Sequence, residues 1–448
     1  MPTLSHLLLI GKVISVIFSV SYTRLRLALR SLTHRLTYHP SSPSSSSEPL
    51  NIVIIGASFA GYHAARCLAN SVPSGHRVVV VERNSHFQFT WVFPRFCVIR
   101  GGGHERKAFV PYGPYLGGGL ERGSCVWVRG SVEKIEEEKN DNQDDDDGKD
   151  EEKGGCLVLR SGEKIKYEYL VVATGSAAEL PSRVGKEDKA DGIRLFRDMQ
   201  DRIEAAKDVV VLGGGPAGVE LAADAKALYP GKNVTLLHSR TRLMNGSFGP
   251  KMHEVAVKEL EKLGVDLVLG ERAQLPAADT ETLSEVVLDS GKRIPCDCLI
   301  KCIGQKPNSS LIAELSPSSI TESGHIKVLP TLQIADEAHR NIYAIGDVAD
   351  TGSIKNGRAA IEQAQFVAEN IVRAIKGKKP LEYHPQWFEG FTELTLGLDK
   401  SVMYFNDGSA EIILPHRSKD VALRSDQCWR LFGVKPFEDP SDLEAAKA

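Results

Sequence analysis

Two glycine-rich turns dominate this chain, Gly56-Ala57-Ser58-Phe59-Ala60-Gly61 and Gly213-Gly214-Gly215-Pro216-Ala217-Gly218. Each follows a short β-branched run and opens a stretch rich in Ala and Leu. Strand, tight turn and helix in that order build a pyrophosphate cradle. Glycine lets backbone N–H groups approach the phosphates, and the helix N-terminus adds the positive end of its dipole. Two cradles in one polypeptide imply two dinucleotides held for exchange of electrons.

The first unit has an apolar strand at 51–55, a helix at 62–70 and a second strand at 77–81 that ends in Glu82. That carboxylate is placed to accept hydrogen bonds from a ribose 2′-hydroxyl. The middle position of the fingerprint is Ser58 rather than glycine, so the argument rests on the whole strand-turn-helix-strand-acid series. The second unit repeats the pattern with a strand at 208–212, a helix at 219–228 and all three glycines, Gly213, Gly215 and Gly218, with Pro216 at the helix start. Its second strand, 233–237, ends in His238 where an acid is usual, followed by Ser239, Arg240 and Arg242. Nothing there repels a 2′-phosphate, and the arginines are suited to pair with one, so NADPH fits at least as well as NADH. Ordinary surface arginines at a strand end are the alternative.

Three more segments extend the pattern. The run 165–172 leads into Ala173-Thr174-Gly175, the run 342–345 leads into Gly346-Asp347, and the segment from Asp297 contains Gly304-Gln305-Lys306-Pro307-Asn308. In this order they resemble the FAD-dependent pyridine nucleotide oxidoreductases, over residues 50 to about 375. The resemblance implies an α/β protein with two Rossmann-like domains, the NAD(P)-binding domain inserted in the FAD-binding one, plus a small α+β C-terminal region. FAD would occupy residues 50–200 and 321–378, NADH or NADPH residues 206–320, and residues 379–448 would form the C-terminal domain. Asp347 would bind the ribityl part of FAD.

Composition is ordinary for such a protein: 448 residues, 42% hydrophobic, 25% charged. A formal net charge of −3 gives no electrostatic reason to expect nucleic acid. Cysteine spacing removes one chemistry. Cys67, Cys97, Cys125 and Cys156 are too dispersed to form the redox pair of a disulfide reductase. Cys296, Cys298 and Cys302 share strand parity but have no fourth ligand nearby, which argues against a metal. Electrons are therefore expected to leave for a diffusible acceptor.

Residues 213–220, Leu237-His238-Ser239, Leu332-Gln333 and 341–350 most closely resemble the apoptosis-inducing-factor-like proteins of the mitochondrion-associated, ferroptosis-suppressor branch. That resemblance implies an NAD(P)H:quinone oxidoreductase passing hydride to FAD and electrons to a quinone-type acceptor. It adds Arg95 and Val132 as FAD contacts and Glu220 as a catalytic glutamate near the nicotinamide and flavin rings. Lys355 and a helix at 359–371 would cover the flavin's pyrimidine side, stabilising the charge that develops there. A solvated loop lysine is the plain alternative. Arg417 stands where the branch has a functional lysine, which puts transfer of that role in doubt. Trp387, Phe388, Phe391 and Trp429 frame an apolar quinone entrance, dip into a membrane interface, or form the core of a small domain. Type II NADH dehydrogenase, a slow signalling flavoprotein, and an enzyme of biosynthetic or oxygen-using oxidation remain as competing readings. Oligomeric state is not legible.

The N-terminus lies outside the resemblance. Residues 7–20 are apolar except for Lys12, and 22–38 carry Arg24, Arg26, Arg30 and Arg35 opposite Leu25, Leu29, Leu32 and Leu36, with no acid before Glu48. An arginine-rich, acid-free amphipathic helix suits a mitochondrial presequence or a membrane-surface anchor, with a disordered tail on a cytoplasmic enzyme as the alternative. Residues 1–49 thus read as a targeting or anchoring segment ending in a Ser-rich linker. With Pro2 rather than glycine after Met1, the myristoyl anchor of related proteins is not expected. The acidic run 136–153 reads as a solvated hairpin tip.

Overall fold

The computed structural model describes residues 4–39, 48–137, 154–244, 246, 248–275 and 284–445. Helix α1 (Leu4–Thr37) leads into strand β1 (Leu50–Ile55), helix α2 (Phe59–Ala69) and strand β2 (His76–Glu82). A one-turn helix α3 (Phe93–Phe96) and strand β3 (Cys125–Arg129) precede three strands, β4 (Val132–Glu137), β5 (Gly155–Leu159) and β6 (Lys164–Tyr167). Strand β7 (Tyr169–Val172) and helix α4 (Lys189–Ala205) follow. The second nucleotide unit comprises β8 (Asp208–Leu212), α5 (Pro216–Leu228), β9 (Asn233–His238), α6 (Pro250–Leu263), β10 (Asp266–Leu269) and β11 (Cys298–Lys301). Then come β12 (Ile342–Ala344), α7 (Gly357–Ile375), β13 (Thr392–Thr395), β14 (Lys400–Asn406), β15 (Glu411–Arg417) and α8 (Ser425–Leu431).

The first sheet has the order β12-β7-β1-β2-β3, with every pair parallel. Burial on both faces explains why β1, β2 and β7 are near-continuous runs of Ile, Val and Leu. The second sheet has the order β10-β9-β8-β11, again parallel throughout. Strand β12 lies beyond the second sheet in sequence yet pairs with β7, which precedes it, Tyr343 opposite Val171. The chain therefore leaves the first sheet, completes the second, and returns, which makes the second module an insertion in the first.

Two apolar runs that look continuous are each divided between sheets. Residues 126–135 break at Gly130-Ser131, so that β3 joins the parallel sheet while β4 pairs antiparallel with β5. The run 165–172 breaks at Glu168, β6 closing the antiparallel meander and β7 entering the parallel sheet. Apolar composition marks a buried strand, but pairing partners decide its sheet. The β4-β5 pairing makes a hairpin; most of its acidic connection, like the Ser-rich segment, lies outside the described residues.

Strands β13, β14 and β15 form an antiparallel sheet. Trp429 is 1% exposed, donates its indole N–H to the Lys107 carbonyl at 2.9 Å, and packs on Phe437. It is a core residue, separate from the contacting rings of Trp387, Phe388 and Phe391. The two N-terminal segments merge into one helix, α1, held along the body by Lys12 to Asp407 and Arg30 to Glu369, both at 2.5 Å.

Candidate active site

In the first cradle Gly56 adopts φ +91°, and a Cβ there would lie 2.6 Å from the Ala173 carbonyl oxygen. A Cβ on Gly61 would lie 1.8 Å from the Gly56 oxygen. Helix α2 thus meets the β1-turn at a distance only glycine permits. Ser58 caps α2 in an extended conformation without a side-chain bond, leaving first-turn N–H groups for a ligand. Ala57 is fully buried and donates its N–H to the Glu82 carboxylate at 2.5 Å, whose other oxygen accepts from Asn84 N–H at 2.7 Å. Burial raises the Glu82 pKa, and these backbone bonds oppose the rise. Each oxygen of a carboxylate can accept more than one hydrogen bond. Phe59 sets its ring edge-on to Phe87 at 5.0 Å, and a Cβ on Gly357 would lie 3.0 Å from that ring, so α7 begins against the loop.

The late motifs converge on the same place. Gly346, at φ +77°, would bring a Cβ to 3.1 Å from Ala60, and its N–H donates to Gln363 Oε1 at 2.8 Å. Asp347 accepts from Arg183 at 2.7 Å and from the Ser176 hydroxyl at 3.3 Å. Thr174 donates its hydroxyl to the Asn308 carbonyl at 2.7 Å, while Asn308 returns its amide to the Thr174 carbonyl at 2.9 Å. Gly175 and Gly304 adopt φ +65° and +76°, which let the two turns face each other. Lys355 donates to the Ala349 carbonyl; burial lowers its pKa, and Asp347 and Asp350 oppose that. Arg183 and Gln363 carried no sequence signal, because one lies in an irregular loop and the other inside a helix.

The second cradle repeats the first. A Cβ on Gly213 would lie 2.6 Å from the Cys302 carbonyl oxygen, and one on Gly218 would lie 1.9 Å from the Gly213 oxygen. Gly215 has open space around its Cβ direction, with Pro216 just inside α5. The N–H of Gly214 donates to His238 Nδ1 at 3.1 Å, so His238 holds the second loop as Glu82 holds the first. With Nδ1 accepting, the neutral ring carries its proton on Nε2, a buried atom. Burial and then Arg240 lower the His238 pKa, opposed by a hydrogen bond with the Arg242 backbone, and the net direction favours the neutral form. Ser239 and Arg240 follow on the exposed bend.

The helix that the second cradle opens, α5, carries a buried polar knot. Glu220 on α5 is 6% exposed and accepts from the Thr395 backbone N–H at 3.0 Å and hydroxyl at 3.2 Å. Burial raises its pKa to about 8, so the carboxyl is protonated at neutral pH. One turn on, Asp224 pairs with Arg95 Nε at 2.5 Å. Arg95, 2% exposed, also donates to the Leu398 and Gly397 carbonyls at 3.2 and 3.0 Å. Its guanidinium braces α3, α5 and the C-terminal region against one another. Thr395 and Asp224 were not visible as partners in the sequence. Val132 begins β4, half-buried opposite Leu159, and Arg417 ends β15 on the surface.

A family model described as pyridine nucleotide-disulphide oxidoreductase matches residues 50–364. The chain belongs to this family. It is 35% identical over 406 residues to Fe-regulated protein 8 of Mycosarcoma maydis, covering 87% of this chain and 96% of the relative. It is 30% identical over 351 residues to ferroptosis suppressor protein 1 of Homo sapiens, covering 77% of this chain and 86% of that one. The sulfide:quinone oxidoreductase of Aquifex aeolicus shares the fold, with a TM-score of 0.65, 17% identity and coverage of 89% and 94%. The protein is accordingly an enzyme whose cofactors are FAD and NAD(P)H. Both cradles fit them: each carries glycines that no side chain could replace, uncapped helix N–H groups, and a side chain that pins the loop.

Proposed function

We propose that the chain is a FAD-dependent NAD(P)H:quinone oxidoreductase of the apoptosis-inducing-factor-like, ferroptosis-suppressor branch, working in association with an intracellular membrane, the mitochondrial one included. Residues 50–200 with 321–378 hold FAD, residues 206–320 hold NADH or NADPH, and residues 379–448 form the C-terminal domain. When bound, the pair supplies hydride transfer from nicotinamide to flavin. The chain's own residues position and insulate. Gly56 to Gly61 and Gly213 to Gly218 seat the pyrophosphates, Glu82 and Asp347 orient FAD, and His238, Ser239 and Arg240 receive the adenosine end of NAD(P)H. The Ala173-Thr174-Gly175 turn and Gly304 line the junction, and Arg95 and Val132 stand where the branch contacts FAD. Glu220 holds a proton where the cofactors meet, and the N-terminus of α7, with Lys355, offers positive potential to the reduced ring system.

The observation that carries the acceptor is the position of the aromatic trio. Asn356, which caps α7 by accepting from Ala359 N–H at 2.9 Å, also donates to the Glu389 carbonyl at 2.8 Å, between Phe388 and Phe391. Arg358 in the first turn lies over the Phe391 ring at 5.6 Å. The rings of Trp387, Phe388 and Phe391 therefore stand at the helix end that begins against the flavin loop, where a flat apolar acceptor would dock.

Anaerobic reduction of the yellow holoprotein tests this reading. NADH or NADPH should bleach it, and a ubiquinone analogue should restore the colour faster than oxygen does. A bleached protein that quinone cannot reoxidise would favour the slow signalling flavoprotein, and peroxide release without quinone dependence would favour an oxidase.

A further inference from the structure

Helix α1 is apolar on its outward side as well as on the side that meets the body. The inward seam follows helical spacing through Leu9, Val13, Val16, Val20, Leu27 and His34, all buried or half-buried. The outward side carries bulkier groups still. Phe18 is 72% exposed, Tyr22 68%, Leu25 59%, Leu29 57%, Leu32 58% and Leu36 80%, a continuous stripe spaced three and four residues apart. A helix serving only to cover a soluble body would turn polar groups to water along that stripe, because each large apolar side chain left exposed forfeits the free energy of its burial.

We propose that α1 lies flat in the interface of an anionic lipid bilayer, its leucine stripe in the acyl boundary and its opposite face fixed to the protein. This deepens the membrane association proposed above and is independent of the identity of the acceptor. Two observations select this occupant. Residues 1–47 contain no acid, and beyond Lys12 and Arg30, which pair with the body, they carry Arg24, Arg26 and Arg35, a charge balance that complements anionic headgroups. The helix is also tied to the body at both ends, by Lys12 to Asp407, Arg30 to Glu369, Ser31 to Asn70 at 2.8 Å, and His34 Nε2 to the Val72 carbonyl at 2.9 Å. A helix spanning through its apolar N-terminal part, where about 20 residues suffice, would break the Lys12 tie and carry Lys12 into hydrocarbon. Lys12 also stands over the Trp387 ring at 6.0 Å, which sets the aromatic trio beside the bound bilayer, within reach of an apolar acceptor dissolved in it.

The test floats the full-length holoprotein with vesicles of phosphatidylcholine alone or mixed with phosphatidylserine, beside the double variant Leu25→Glu, Leu29→Glu. The expected result is flotation that rises with phosphatidylserine, release by alkaline carbonate, and a loss of about tenfold or more in the variant. Reduction of a water-soluble short-chain quinone should be equal in both proteins. Carbonate-resistant binding with α1 protected from protease would overturn the in-plane geometry in favour of a spanning helix. Failure to float, or dimerisation through the stripe without vesicles, would overturn the bilayer as partner. Equal quinone turnover alongside failed flotation would leave the enzymatic reading standing, and loss of quinone turnover with intact flotation would do the reverse.

Discussion

Thr395 of the C-terminal sheet grips the carboxyl of Glu220 on α5 twice, through its backbone N–H at 3.0 Å and its hydroxyl at 3.2 Å. The contact joins the nicotinamide module to the last sheet at a point sealed from solvent. A pH signature follows. Burial, reinforced by Asp224 and opposed by the Thr395 bonds and Arg95, lifts this carboxyl to about 8 from an ordinary 4.5. Between those values the folded protein retains a proton that the unfolded chain has released, so stability declines as pH rises through the window. The slope from one such group is at most about 1.4 kcal/mol per pH unit. Glu220→Gln should flatten melting temperature against pH from 5 to 8 and match the wild type at the acid end; parallel curves would show that Glu220 does not titrate there.

The two glycines flanking the start of α5 should respond differently to the same methyl group. Gly215 has open space and ordinary φ, so Gly215→Ala should melt within about 2 °C of wild type while weakening NAD(P)H-driven bleaching about tenfold, because only the ligand meets the new Cβ. Gly218→Ala places a Cβ 1.9 Å from the Gly213 oxygen and should lower the melting temperature by several degrees before any ligand is added. Equal melting temperatures for the two variants would contradict this packing.

His238 is poised to choose the coenzyme. A neutral ring with its proton on Nε2 donates to phosphate, whereas a carboxylate repels it and accepts from a 2′-hydroxyl. Stopped-flow reduction of His238→Glu should raise the half-saturating NADPH concentration about tenfold and change that for NADH less than about threefold, the tenfold ratio corresponding to about 1.4 kcal/mol. A variant that loses both coenzymes equally would reduce His238 to a loop support through its bond to Gly214.

The Arg95 to Asp224 pair is 1% and 0% exposed at the side chains. Removing one partner strands the other charge, so Arg95→Leu or Asp224→Leu should each destabilise by about 3 to 5 kcal/mol in urea unfolding of the holoprotein. The double variant should recover much of that loss, because no uncompensated charge remains. Additive losses would mean that the Gly397 and Leu398 carbonyls, rather than Asp224, are what Arg95 supports.

Much of this protein is written in local sequence. A glycine whose Cβ would fall 2.6 Å from a carbonyl oxygen, a β-branched run buried on both faces, and an acid or histidine at a strand end are each dictated by steric or solvation demands within a short structural unit. Gly56, Gly213, Glu82 and His238 are therefore legible from the chain itself, as is the order of motifs that makes one module an insertion in the other. Residues joined across hundreds of positions left no such trace. Only the packing of α3 and α5 on the last sheet shows that Arg95 spends its donors on Asp224 and carbonyls, and that Glu220 belongs to Thr395. Only the docking of α1 shows which of its apolar seams meets the body and that the stripe through Leu25, Leu29, Leu32 and Leu36 faces outward. The physical reason is common to all of these: a backbone constraint acts on neighbours in sequence, whereas the partner of a buried charge or an apolar stripe is set by which surfaces the completed fold brings together.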